Sequence, residues 1–129
     1  MRLELPQSDT FTLDRNHALC EGTEFAKMDF SMEVKRIYEA EIESEFEAHK
    51  SVKDKRVRID YSAAYISLFD KAIVSWRNVC GIDGKDIPCT SENKRKIAMV
   101  HHSLRQLVCM ASQHALILND EIEEAEEKN

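Results

Sequence analysis

Glycine and proline are scarce in this chain, three and two in 129 residues, and tryptophan occurs once. So little punctuation excludes a loop-dominated or collagen-like chain and favours long regular elements. No apolar run approaches the roughly 20 residues needed to span a bilayer, and the opening residues 1–9 lack an apolar signal core, so a non-exported, cytoplasmic protein is expected. The four cysteines, Cys20, Cys80, Cys89 and Cys109, show no paired spacing and read as reduced thiols. No Gly-rich phosphate loop is present, because Gly81 and Gly84 lack the Lys-Ser/Thr that follows in a nucleotide site.

What remains is rich in apolar (43%) and charged (33%) residues, which suits one folded domain and excludes a wholly disordered chain. The charge is segregated. Residues 1–50 are strongly acidic, residues 51–118 are net basic, and residues 119–129 are acidic again, for an overall −6.

The periodicity predicts a mainly α fold, a small helical domain of three principal helices with a short N-terminal β-ribbon. Leu3 and Leu5 alternate with polar residues on one side of Pro6, as Phe11 and Leu13 do on the other, and the two runs could pair as that ribbon. Over residues 31–50, Val34, Ile37, Tyr38, Ile42 and Phe46 recur at helical spacing while Glu39, Glu41, Glu43, Glu45 and Glu47 occupy other positions, predicting an amphipathic helix with an acidic outer face. Residues 51–58, with Lys53, Lys55, Arg56 and Arg58, read as a basic connection. A second helix is expected over residues 60–77 from an Asp60 cap, its stripe formed by Tyr61, Tyr65, Leu68, Phe69, Ile73 and Trp76. That aromatic stripe is either core or partner surface.

The last helix, residues 91–118, opens on a Thr90 or Ser91 cap and carries Ile97, Val100, Leu104, Leu107, Val108, Ala111 and Ala115 on one stripe. Extended through the acidic residues 119–129 it would be about 55 Å long. That overhangs a compact body of this size, so residues 119–129 are expected to form a mobile tail.

Two of the three glycines, one proline and the only tryptophan fall within residues 76–93, Trp-Arg-Asn-Val-Cys-Gly-Ile-Asp-Gly-Lys-Asp-Ile-Pro-Cys-Thr-Ser-Glu-Asn. Asp83-Gly84 is the turn signal, Ile82 and Ile87 flank it like the arms of a short hairpin, and Pro88 stops any continuation. This succession of a Trp-terminated helix, an acidic-glycine turn, a proline and a Ser/Thr-x-x-Asn-like helix start resembles the tail assembly chaperones of tailed bacteriophages and prophages. The likeness covers about twenty residues directly and residues 60–117 loosely, while residues 1–58 lie outside it. It implies a non-enzymatic helper in the bacterial host cytoplasm, absent from the mature virion, that binds the tape measure protein and recruits tail tube protein. The family often makes a longer product by frameshifting. The long acidic helix and the four cysteines depart from the family pattern.

No catalytic or cofactor-binding residue emerges. His101 and His102 would point about 100° apart on a helix, and the gap between Cys80 and Cys89 is too wide for a zinc knuckle, so no metal site is expected. The expected partner surface is Trp76 with the loop Gly81, Asp83, Gly84 and Pro88, and Tyr65 and Phe69 beneath it; otherwise these residues fix an interhelical angle. Homo-oligomerisation stays open. The alternative function is a small nucleic-acid-binding or regulatory protein in which Lys53, Lys55, Arg56 and Arg58 converge on phosphates with Lys94, Arg95 and Lys96.

Overall fold

A computed structural model describes residues 1–3, 5 and 8–114. The expected positions Glu4 and Pro6 of the ribbon, residues 115–118 of the last helix and the acidic tail of residues 119–129 lie outside the described residues. Among the described residues the architecture is an α/β mix with four helices, two antiparallel sheets and 23% strand, so the mainly α expectation is overturned.

The larger sheet has the order β1-β2-β5. Strand β1 (Thr10–Asp14) sets Phe11 opposite Val34 and Leu13 opposite Met32 of the central strand β2 (Ser31–Lys35). Phe11 to Leu13 thus form the expected strand but pair with β2. Along β2 the buried residues are Met32 and Val34, with period two, while Ser31 and Glu33 are half-exposed. The helix expected from residue 31 therefore starts eight residues later, as α1 (Glu39–Ala48).

The third strand, β5 (Ile73–Arg77), places Trp76 opposite Met32, with a register shift between Glu33 and Val34. Trp76 therefore sits on a strand and does not end a helix. Ile-Val-Ser-Trp is rich in β-branched and aromatic residues, and a free strand edge on β2 outweighs the helical spacing of Ile73 and Trp76.

Residues expected to be a connection form a second, two-stranded sheet. Strand β3 (Lys50–Lys53) and strand β4 (Arg56–Ile59) meet through Asp54 and Lys55, both left-handed with φ of 53° and 63°, the signature of a two-residue type I′ turn. Helix α2 (Tyr61–Ala72) then begins as the sequence predicts: the Asp60 carboxylate accepts the Ala63 amide at 3.0 Å. It buries Ala64, Leu68, Phe69 and Ala72, and packs on α1 through Phe46, whose ring meets Tyr61 and Tyr65 edge-on at 5.3 and 5.7 Å.

The single long C-terminal helix is also corrected. It is broken at His101 (φ −100°, ψ 79°) into α3 (Ser91–Val100) and α4 (His102–Gln113). Neither Gly nor Pro marks the break, but side chains take over the freed carbonyls of α3. Arg105 Nη1 donates to the Ala98 oxygen at 3.1 Å, and His102 Nε2 lies 3.2 Å from the Met99 oxygen. The bend allows both helices to pack against α2 and buries Ala98, Leu107, Val108 and Ala111 in one core with Leu13, Met32 and Phe69. Among the described residues no helix is long and apolar enough to cross a membrane.

Candidate protein-binding groove

The 76–93 connection is built as a miniature hairpin. The Ile87 amide donates to the Val79 carbonyl at 2.8 Å, Cys80 bridges Asp86, and the Gly81 amide donates to the Lys85 carbonyl at 2.9 Å. Asp83 shapes the tip by accepting the Lys85 amide at 3.0 Å, while Gly84 supplies the left-handed φ of +77° that the turn needs. Trp76 holds this hairpin on the sheet, its indole Nε1 donating to the Ile87 carbonyl at 2.7 Å. Below it, Asn93 Nδ2 donates to the Pro88 carbonyl at 3.0 Å and the Thr90 hydroxyl caps α3 through the Asn93 amide at 3.2 Å. At the fixed tip, the Ile82 side chain is wholly exposed.

The hairpin forms one wall of an open groove of about 840 Å³. Phe25, Met28 and Phe30 line it from the stretch before β2, Val79 and Ile87 from the hairpin, and Ile97, Val100 and Leu104 from the α3–α4 bend. Met32 of the sheet also reaches it, and Glu24, Asp29, Cys80, His101 and His102 supply its polar positions. Val100 is 71% exposed and Met28 44%, large apolar side chains left in water on the lining of one groove. A second groove of about 460 Å³ shares Glu24, Phe25 and Ser103 with the first and follows α4 to Met110.

Of the expected surface residues, Asp83, Gly84 and Pro88 are exposed on the hairpin, and Gly81 and Trp76 are half-buried within it. Phe69 is fully buried in the core. Tyr65 lines a different cleft, of about 630 Å³, with His102, Arg105 and Met110. The structure thus joins Trp76 to the loop and separates Tyr65 and Phe69 of α2 from it. Phe25 and Met28 line the groove without any sequence signal for it, and Val100, on the expected core stripe, stands exposed next to the bend at His101.

The basic residues do not converge either. Asp70 at the end of α2 accepts from Ser91 Oγ at 2.7 Å, Lys94 Nζ at 3.0 Å and Arg95 Nε at 3.0 Å, and Lys94 also donates to the Asp70 and Ile73 carbonyls. Burial would raise the Asp70 carboxyl, but these bonds and charges outweigh it and hold it below its ordinary value. Lys96 is paired with Glu92 at 2.9 Å. Lys94 and Arg95 thus hold α3 to α2 and Lys96 pairs within α3, whereas Lys53, Lys55, Arg56 and Arg58 stand on the exposed β3–β4 hairpin.

A second buried carboxylate, Glu45 of α1, is bonded to Lys71 of α2 and lies 3.0 Å from His49 Nε2. Burial pushes its carboxyl up, yet bonds from Lys71, Ser67 and His49 prevail and lower it. Burial drives the Cys109 thiol up to about 12, and the Asp86 carboxylate raises the exposed Cys80 thiol by accepting from it at 3.3 Å. Among the described residues no three His, Cys, Asp or Glu side chains gather to hold a metal ion; Cys80, Cys89, His101 and His102 form no such group. No protein-family profile, curated protein or solved structure matches the chain.

Proposed function

We propose that this chain is a non-enzymatic tail assembly chaperone that binds an amphipathic helical segment of the tape measure protein in the groove between the Trp76-anchored hairpin and the α3–α4 bend. The observation that carries the reading is the apolar lining of that groove, Phe25, Met28, Val79, Ile87 and Val100, with Met28 and Val100 exposed to water. A helix with side chains is about 10 Å across and seats its i, i+3 and i+4 apolar residues in such a groove. The unbranched Met28 on the groove lining adapts to differing side chains, which suits a chaperone meeting successive stretches of a long helical client. The sequence likeness to the family rests on the same residues 76–93 that build the hairpin wall.

The first test is the DNA flanking the gene. A long downstream frame with extended helical periodicity, preceded by an overlapping frame and a slippery heptanucleotide, supports the proposal and names the client. A locus without tail genes removes its main support.

A further inference from the structure

The β3–β4 hairpin is exposed along almost its whole length. Opposed residues of an antiparallel pair share a face. The register Val52 to Val57, Lys53 to Arg56 and Ser51 to Arg58 therefore sorts the ribbon into an apolar face and a basic face. Val52 and Val57 are 67% and 58% exposed. Lys53, Arg56 and Arg58 have no ion-pair partner among the described residues. A two-stranded ribbon left bare on both faces is marginal by itself.

Immediately before the ribbon lies its charge complement. Helix α1 exposes Glu39, Glu41, Glu43 and Glu47, of which only Glu47 has an ion-pair partner among the described residues, an exposed contact to Lys50 at 3.6 Å. Glu39, Glu43 and Glu47 are four residues apart and line one stripe at about 6 Å intervals. Side chains two apart on a strand, as Arg56 and Arg58 are, repeat at about 6.7 Å.

We propose that the basic face of the hairpin in one copy of this chain docks on the acidic face of α1 in a second copy, and reciprocally, forming a two-fold dimer. The two patches follow one another along the chain, α1 ending at Ala48 and β3 starting at Lys50, and a two-fold contact engages both patches of each subunit. A nucleic-acid backbone is a poorer occupant: it would meet the α1 carboxylates and Asp54 as it approached, on a chain of net charge −6.

The test is sedimentation equilibrium of the full chain across a salt series, with circular dichroism verifying the fold of each variant. The expected result is a dimer at about 0.05 M NaCl whose dissociation constant rises tenfold or more by about 0.5 M. The variant K53E/R56E/R58E should be monomeric at low salt, as should E39K/E43K/E47K. An equimolar mixture of the two should dimerise again, because the acidic hairpin of the first then meets the basic α1 of the second, while the basic hairpin of the second meets the acidic α1 of the first. Val100→Lys, in the groove, should leave the dimer intact, so failure of the groove reading and failure of this one are separable. A wild-type chain monomeric at low salt overturns the proposal, whether or not it retains duplex DNA. So do variants that stay dimeric, or a mixture that fails to reassociate.

Discussion

The Trp76 indole nitrogen lies 2.7 Å from the carbonyl oxygen of Ile87, a single bond joining the sheet to the far arm of the hairpin. Through it the position of the groove wall depends on strand β5 and, by the pairing of Trp76 with Met32, on the centre of the sheet.

Replacing Trp76 by phenylalanine keeps most of the ring packing and removes the donor. The expected cost is about 1–2 kcal/mol in urea unfolding, with faster amide exchange at Gly84 and Ile87 than elsewhere. Uniform loosening across the sheet would show that the ring, and not the bond, fixes the loop.

Asp70 and Glu45 predict an acid-labile packing of α2 against its neighbours. Both carboxyls are held below their ordinary values of about 4, so each contributes stability that is fully present above that value and is lost as pH falls through the lower folded one. Thermal melts between about pH 6 and pH 2 should show midpoints falling steeply below about pH 4. Asp70→Ala should cost roughly 2–4 kcal/mol at neutral pH, because it leaves the buried Lys94 ammonium without its carboxylate.

Asp54 and Lys55 hold left-handed backbone at a cost of about 1 kcal/mol each. Lys55→Gly is therefore expected to stabilise the β3–β4 hairpin by roughly 0.5–1 kcal/mol, read as slower exchange at Val52 and Arg58. A loss of stability would contradict the type I′ geometry.

Cys80 stands on the groove wall and is exposed, whereas Cys20 and Cys109 are buried. Labelling followed by mass spectrometry should modify Cys80 in the native protein and spare Cys20 and Cys109. Asp86→Asn should accelerate the Cys80 reaction by removing the carboxylate that raises its thiol. A helix seated in the groove should slow it.

Much of this was legible where a local signal fixes a backbone. The Asp60 and Thr90 caps and the Asp83-Gly84 turn stand where the sequence places them, because each rests on one side chain or one φ angle. The strands were hidden for a different reason. Val34 fits a helical stripe with Ile37 as well as an alternation with Met32, and the choice between them depends on β1 and β5, distant in sequence. The break at His101 depends on Arg105 and His102 reaching back to α3, a tertiary arrangement without Gly or Pro to announce it. The groove was hidden because its walls come from segments far apart in sequence, Phe25 and Met28, Val79 and Ile87, and Val100.

The central claim is tested most directly by calorimetric titration of the chain with the helical tape measure protein proposed as its client, comparing the native chain with Val100→Lys. Val100 is 71% exposed at the C-terminal end of α3, where a cation is well tolerated, so the variant should fold and melt as the native chain does. The account predicts binding by the native chain, weakened about tenfold or more by a charge in the apolar groove. No binding, or equal binding by both chains, would contradict it.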